Sequence, residues 1–175
     1  MGSVYIFRGK AATGKSTLSD MLAKELSIFV IRTDDIIDAL KATPDIDKSL
    51  LNHTITFNIL CKVIQTNLDL SIDFIIDVGL GDKGRAKRFY DRLNFSNYNI
   101  FGFYTICSDE REWRRRHIER IENPTPNQSF KSFEHVLEHY KDFDMNLLDN
   151  EYVIDSACMT EECFGSVMKI IKSRI

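Results

Sequence analysis

The chain is expected to fold as an α/β protein, a five-stranded parallel sheet with helices on both faces. Three observations predict it. Short apolar runs of β type alternate along the chain with stretches whose apolar residues recur at helical spacing. Several of the apolar runs lack polar alternation, as strands covered on both faces do. The 175 residues, 43% of them hydrophobic and 28% charged, match a globular unit of one domain spanning 1–175 rather than a disordered or fibrous chain.

The first strand is predicted at Val4-Tyr5-Ile6-Phe7, stopping before Gly9; Leu18, Met21, Leu22 and Leu26 then mark a helix. Ile28 to Ile31 reads as a second buried strand, and Thr33-Asp34-Asp35 supplies capping residues for a short helix that ends before Pro44. Leu51, Ile55, Ile59, Val63 and Ile64 trace a long amphipathic helix, and Phe74-Ile75-Ile76 a third strand ending at Asp77. A helix from about Gly84 to Leu93 precedes a strand from Ile100 to Ile106. The arginine-rich stretch from Asp109 to Ile121 has helical composition, with acids suited to its N-terminus. Pro124 and Pro126 break the chain into a polar loop reaching about Ser132, so that residues 110–132 read as a small arginine-bearing lid. A helix from about Phe133 to Leu148, a strand at Tyr152-Val153-Ile154 and a closing helix with Val167, Ile170 and Ile171 complete the alternation, whose parallel crossovers place helices on both faces.

Between the first strand and first helix lies Gly9-Lys10-Ala11-Ala12-Thr13-Gly14-Lys15-Ser16, followed by Thr17. This is the Walker A pattern in its confirming context of strand, loop and helix. Its glycines let consecutive backbone N–H groups curl around phosphate oxygens, Lys15 neutralises the β- and γ-phosphates, Ser16 ligates Mg²⁺, and the helix aims its positive end at the anion. The expected ligands are therefore ATP and Mg²⁺, and the expected architecture is the three-layer P-loop NTPase fold.

A phosphate loop serves switches, motors and kinases alike, so the reaction is read from the other strand ends. Asp34, just beyond the second strand, is placed to accept the proton of an attacking hydroxyl, with Asp35 beside it as an equal candidate. Helix capping is the competing reading for both. Asp77 ends an apolar strand in the manner of a Walker B acid, able to hold Mg²⁺ or orient an acceptor. Asp82 is a weaker substrate-side candidate, because a position between Gly81 and a helix suits an N-cap. Among Arg111, Arg114, Arg115, Arg116 and Arg120, the pair Arg116 and Arg120 is spaced i, i+4 and shares a face, which fits stabilisation of a transferring phosphoryl group. The remaining arginines read as a solvated surface. His135 and His139 share that spacing but lack a third ligand, and Trp113 and the phenylalanines read as core.

These residues resemble a group of small P-loop kinases that includes the kinase domain of polynucleotide 5′-kinases, chloramphenicol phosphotransferase and the zeta toxins. The resemblance covers nearly the whole chain and rests on GKAATGKST at 9–17, TDDII at 33–37, FIIDVGLGD at 74–82 and RHIER at 116–120, in the family's order. It implies a strand order of 2-3-1-4-5, Asp34 as general base, Asp77 on the acceptor side, Arg116 and Arg120 as lid arginines, and ATP as donor. It also implies that Val153 to Ser156, with Thr160 and Glu161 opening the last helix, form the closing strand and the loop beside the adenine. Where polynucleotide kinases carry an arginine shortly after the base, this chain has Ile36, Ile37 and Asp38, which weighs against a nucleic-acid acceptor.

The leading expectation is an ATP-dependent transfer of the γ-phosphoryl group to a hydroxyl of a small molecule. Two alternatives remain. A 5′-hydroxyl polynucleotide or nucleotide kinase would use Lys83, Arg85, Lys87 and Arg88, and a nucleotide-dependent switch would hydrolyse slowly. The net charge of −3 argues against a large surface for nucleic acid. Cys61, Cys107, Cys158 and Cys163 form no CxxC pair and follow no secretory segment, so reduced thiols in a cytoplasmic protein are expected. No apolar run is long enough to span a membrane. The acceptor and the oligomeric state are not legible at this level.

Overall fold

The computed structural model describes residues 1–47, 53–125 and 127–174. Its elements are β1 (Gly2–Gly9), α1 (Lys15–Leu26), β2 (Val30–Arg32), α2 (Thr33–Ala42), α3 (His53–Asp69), β3 (Phe74–Val78), α4 (Lys83–Tyr90), β4 (Tyr98–Ile106), α5 (Glu110–Glu122), α6 (Phe133–Tyr140), β5 (Glu151–Asp155) and α7 (Thr160–Lys172). The five strands form one parallel sheet in the order β2-β3-β1-β4-β5, as expected. Leu51 and Pro126, used above as markers, lie outside the described residues.

The pleat of β1 divides the core. Val4 and Ile6 face a cluster with Leu60, Ile64, Phe74, Ile76 and Phe89, beneath α3 and α4. Tyr5 and Phe7 face the opposite cluster with Leu18, Leu22, Ile75, Phe103 and Val167, beneath α1 and α7. Consecutive strand residues point to opposite faces, and since helices cover both, β1 is apolar without alternation. A smaller cluster of Ala12, Trp113, Phe133 and Val136 packs α5 and α6 over the phosphate loop.

Of the boundaries that differ from expectation, three have a tertiary reason. β2 begins at Val30 rather than Ile28, because Ile28 ends the α1 turn by donating its N–H to Ala23 O, and its side chain packs on the α1/α7 face. β4 begins two residues earlier than Ile100: the Tyr98 hydroxyl donates to Ile72 O at 2.9 Å and the strand pairs with Gly2. The apolar pattern beyond Phe133 predicted a helix to Leu148, yet α6 ends at Tyr140. Backbone groups past that point are claimed from elsewhere: Asp144 N–H donates to Asp82 Oδ2 (3.0 Å), Asn146 O accepts from Arg8 Nη2 (3.1 Å), and Leu148 N–H donates to Glu151 Oε2 (2.7 Å). A helix needs those same groups for its own ladder.

Candidate active site

The C-terminal ends of β1, β2 and β3 converge where parallel sheets bind ligands. The loop after β1 leaves the sheet at Gly9, whose φ of +149° and a Cβ position only 2.3 Å from Thr105 O admit no side chain. It re-enters as α1 at Gly14, with φ +84°. Ala12 also lies in the left-handed region, at φ 59°, a conformation that the surrounding contacts must maintain. Those contacts come from α5 and α6: Trp113 Nε1 donates to Ala11 O at 2.8 Å, and Ala11 N–H donates to the Tyr140 hydroxyl at 2.9 Å. Thr13 Oγ1 anchors the loop to β4, 2.8 Å from Thr105 Oγ1.

A cleft of about 110 Å³ opens on this loop, and Lys15, Ser16, Arg32, Asp34, Asp77 and Arg120 line it together with backbone of Ala11, Ala12 and Gly14. Lys15 is buried, and Nζ folds back to donate to Lys10 O at 2.7 Å. Burial pushes its pKa down, Asp77 and Asp34 oppose that, and Arg120 adds to it. Asp77, at the end of β3, is 6% exposed; its Oδ2 accepts from Ser19 Oγ at 3.4 Å and lies 3.6 Å from Arg32 Nε. Arg32 also pairs with Asp20. Ser16 in the first turn of α1 and Asp77 near the end of β3 offer hard oxygen donors to one cleft, a set that fits Mg²⁺ completed by phosphate and water. No cluster of three or more His, Cys, Asp or Glu among the described residues could cage a metal alone.

Asp34 and Asp35, equal candidates in the sequence, are placed differently. Both stand in the first turn of α2, whose N-cap position is taken by extended Arg32 with no side-chain cap bond, so neither acts as the cap. Asp34 enters the cleft, open to solvent at its mouth yet ringed by protein; that crowding, with the negative charge of Asp77, raises its pKa, while Lys15 and Arg120 pull it back. The Asp35 side chain points away, 66% exposed and 4.0 Å from Arg32.

Four other candidates are not brought to the cleft. Asp82 spends both carboxylate oxygens on structure, accepting from Arg85 N–H (2.8 Å) as the α4 cap and from Asp144 N–H (3.0 Å). Thr17 is exposed on α1 outside the cleft, and Thr13 faces away from it. Arg116 and Arg120 separate: Arg120 reaches the cleft, while Arg116 donates to Ser156 Oγ (2.8 Å), Ser156 O (2.7 Å) and Glu112 Oε1 (2.7 Å). Arg116 thus ties α5 to the loop after β5, whose Ser156 also borders Gly14. Of the basic residues on α4, Lys87 pairs with Asp91 and Arg85 stacks on Phe143 at 4.7 Å.

Sequence reasoning missed Arg32, Tyr140 and the donor role of Trp113. It also missed His117, fully buried between Trp113, Phe130 and Phe133 with neither ring nitrogen hydrogen-bonded. Burial, reinforced by Arg120, lowers the His117 pKa to about 4, so the imidazole is neutral at physiological pH. Only the position of Arg32, two residues before Asp34, offered a sequence signal.

A family model described as an AAA domain, a P-loop kinase-like family, matches residues 4–144. Comparison with curated proteins finds no matching sequence. Among solved structures, a candidate kinase from Chloroflexus aurantiacus superposes with a TM-score of 0.77 at 14% identity, over 99% of this chain and 98% of that one. The tunicamycin resistance protein of Deinococcus radiodurans gives 0.65 at 14%, over 98% and 96%. The APS kinase of Mycobacterium tuberculosis, in complex with AMPPNP and APS, gives 0.65 at 12%, over 98% of both chains. At such identities the likeness establishes the P-loop kinase-like fold.

Proposed function

The chain belongs to the AAA-domain family of P-loop kinase-like proteins, and from that premise we propose that it is an ATP- and Mg²⁺-dependent kinase that phosphorylates a hydroxyl of a small molecule. One observation carries the reading: Lys15, Asp34, Asp77 and Arg120, drawn from four separate elements, line a single cleft on the phosphate loop. A switch needs the loop and a magnesium-side acid, but not a second carboxylate placed to take a proton from an acceptor hydroxyl. The AMPPNP complex of the structurally similar APS kinase supports a nucleoside triphosphate as donor. The whole of 1–175 acts as one kinase unit in this reading, with 110–132 as its lid.

Lys15 leaves the Lys10 carbonyl and neutralises the β- and γ-phosphates, while backbone N–H groups of the loop cradle them. Ser16 and Asp77 would hold Mg²⁺, which would supply neutralisation of the phosphate charge. Asp34 orients the acceptor hydroxyl and takes its proton as the new O–P bond forms and the bond to the β-phosphate breaks. Arg120 screens the charge that develops on the transferred group. Raising the Asp34 pKa strengthens it as a base, and Arg120 and Lys15 keep it ionised.

The test is transfer of labelled γ-phosphate from ATP to panels of sugars, nucleosides, amino alcohols and oligonucleotides, by wild type and by Lys15→Ala. An acceptor that becomes labelled only with wild type establishes the reaction and its substrate. Nucleotide binding with no acceptor-stimulated turnover across the panels would contradict it and favour a switch.

A further inference from the structure

The phosphate loop is a partition. Ala11, Ala12, Gly14, Lys15 and Ser16 face the cleft that contains Asp34, whereas Lys10 and Thr13 face a second cavity on the other side. That cavity has a volume of about 340 Å³, within the range of small-molecule pockets. It is bounded by Tyr104 on β4, the indole of Trp113, Leu147 and Val153. The two cavities share no lining residue.

Lys10 gives the second cavity its chemistry. Its ammonium lies 4.9 Å from the Trp113 ring centroid and 5.4 Å from that of Tyr140. Among the described residues no carboxylate stands within ion-pair distance of it. Burial lowers its pKa, with no neighbouring acid to oppose the shift. A cation held only by aromatic faces, at the rim of a largely apolar hollow, is complementary to an anion carried on an apolar body.

We propose that this cavity is a second ligand site, taking a small amphiphilic anion: an aromatic or branched apolar body that packs on Trp113, Leu147 and Val153, with a carboxylate or sulfonate on Lys10. The site communicates with the phosphate loop through Trp113, which lines it, and through Lys10, which also reaches Tyr140 on the wall of the other cleft. Trp113 holds Ala11 O and Tyr140 holds Ala11 N–H, and Lys10 touches both rings. A ligand that presses on Trp113 and draws Lys10 away alters the loop, and any effect on nucleotide affinity is matched by an equal effect of nucleotide on the ligand. The proposal is independent of the reaction assigned to the other cleft.

The experiment titrates the full chain with 8-anilinonaphthalene-1-sulfonate, using Trp113, the single tryptophan, as energy donor. The expected result is saturable one-to-one binding, with a Kd on the order of 10–100 μM, and energy transfer from Trp113. A non-hydrolysable ATP analogue leaves that Kd unchanged or moves it to a finite plateau; either outcome marks two separate sites. Val153→Glu, which sets a carboxylate in the cavity from an exposed position on an edge strand, and Lys10→Gln each weaken the probe by at least about tenfold. Leu147→Glu serves the same purpose should Val153→Glu fail to fold by circular dichroism. Absence of saturable binding up to about 1 mM overturns the proposal. So does weak uptake at many sites that ignores these variants, or a probe Kd that climbs without limit as the analogue is added.

Discussion

Two groups of charged residues, one within the sheet and one at the end of its strands, are built in opposite ways. Arg8 and Glu151, with side chains 1% and 2% exposed, form a bidentate pair with both contacts at 2.6 Å. The guanidinium also donates to Leu80 O (3.1 Å) and Asn146 O (3.1 Å), and its face lies 4.3 Å from the Tyr104 ring. Each polar atom is answered. In the cleft on the phosphate loop, Lys15 bonds to a backbone carbonyl rather than a carboxylate, Asp77 has contacts of 3.4 and 3.6 Å, and Asp34 and Arg120 are exposed. A buried pair that is fully satisfied costs its desolvation and returns a fixed geometry. Charges that converge on one cleft with few close contacts between them keep their hydrogen-bonding capacity turned toward it, in keeping with the nucleotide binding proposed above.

The largest expected effect breaks the first group. Arg8→Leu leaves the Glu151 carboxylate buried and alone, and is expected to cost about 3–5 kcal/mol, a fall of roughly 10 °C or more in the thermal midpoint. Adding Glu151→Leu recovers much of that loss, measurable by differential scanning calorimetry of the two variants. The second group should respond the other way. Lys15→Met removes a buried cation held by one carbonyl, so the thermal midpoint without nucleotide is unchanged or higher, while titration calorimetry shows nucleotide affinity falling by about a hundredfold.

Smaller effects sharpen the contrast between the two α5 arginines. Arg120→Gln should lower kcat by about a hundredfold with little change in nucleotide affinity. Arg116→Gln, which frees Ser156 and the loop after β5, should weaken nucleotide binding several-fold and spare kcat. The smallest effect is on pH dependence. The base form of Asp34 is lost as pH falls through its raised pKa, so the acid limb of kcat/KM lies above the ordinary aspartate range. Arg120 lowers that pKa, so in Arg120→Gln the limb moves to higher pH; a limb that stays in place would detach Asp34 from the profile.

The phosphate loop and the strands themselves were legible in the sequence because their causes are local, glycines where φ is positive and apolar runs of strand length between helical periods, whereas the strand order followed only from the family resemblance. Asp77 was legible because the end of an apolar strand is a position that pattern alone defines. The division of roles between Arg116 and Arg120 was not, since i, i+4 spacing assigns a face and not a target, and the Ser156 contact spans 40 residues. The grip of Trp113 and Tyr140 on Ala11 reaches across 102 and 129 residues, so no window of sequence contains it. The early end of α6 was hidden for the same reason, its backbone groups being bonded to Asp82, Arg8 and Glu151 from distant segments.

The most direct test of the central claim is Asp34→Asn, assayed side by side for nucleotide binding, thermal midpoint and acceptor phosphorylation. Amide for carboxylate preserves shape and removes only the base. The account predicts nucleotide affinity within a few-fold of wild type, an unchanged midpoint, and phosphoryl transfer reduced by about 10³-fold. Transfer at the wild-type rate would remove Asp34 from the chemistry and leave the gathered charges of the cleft without the function assigned to them.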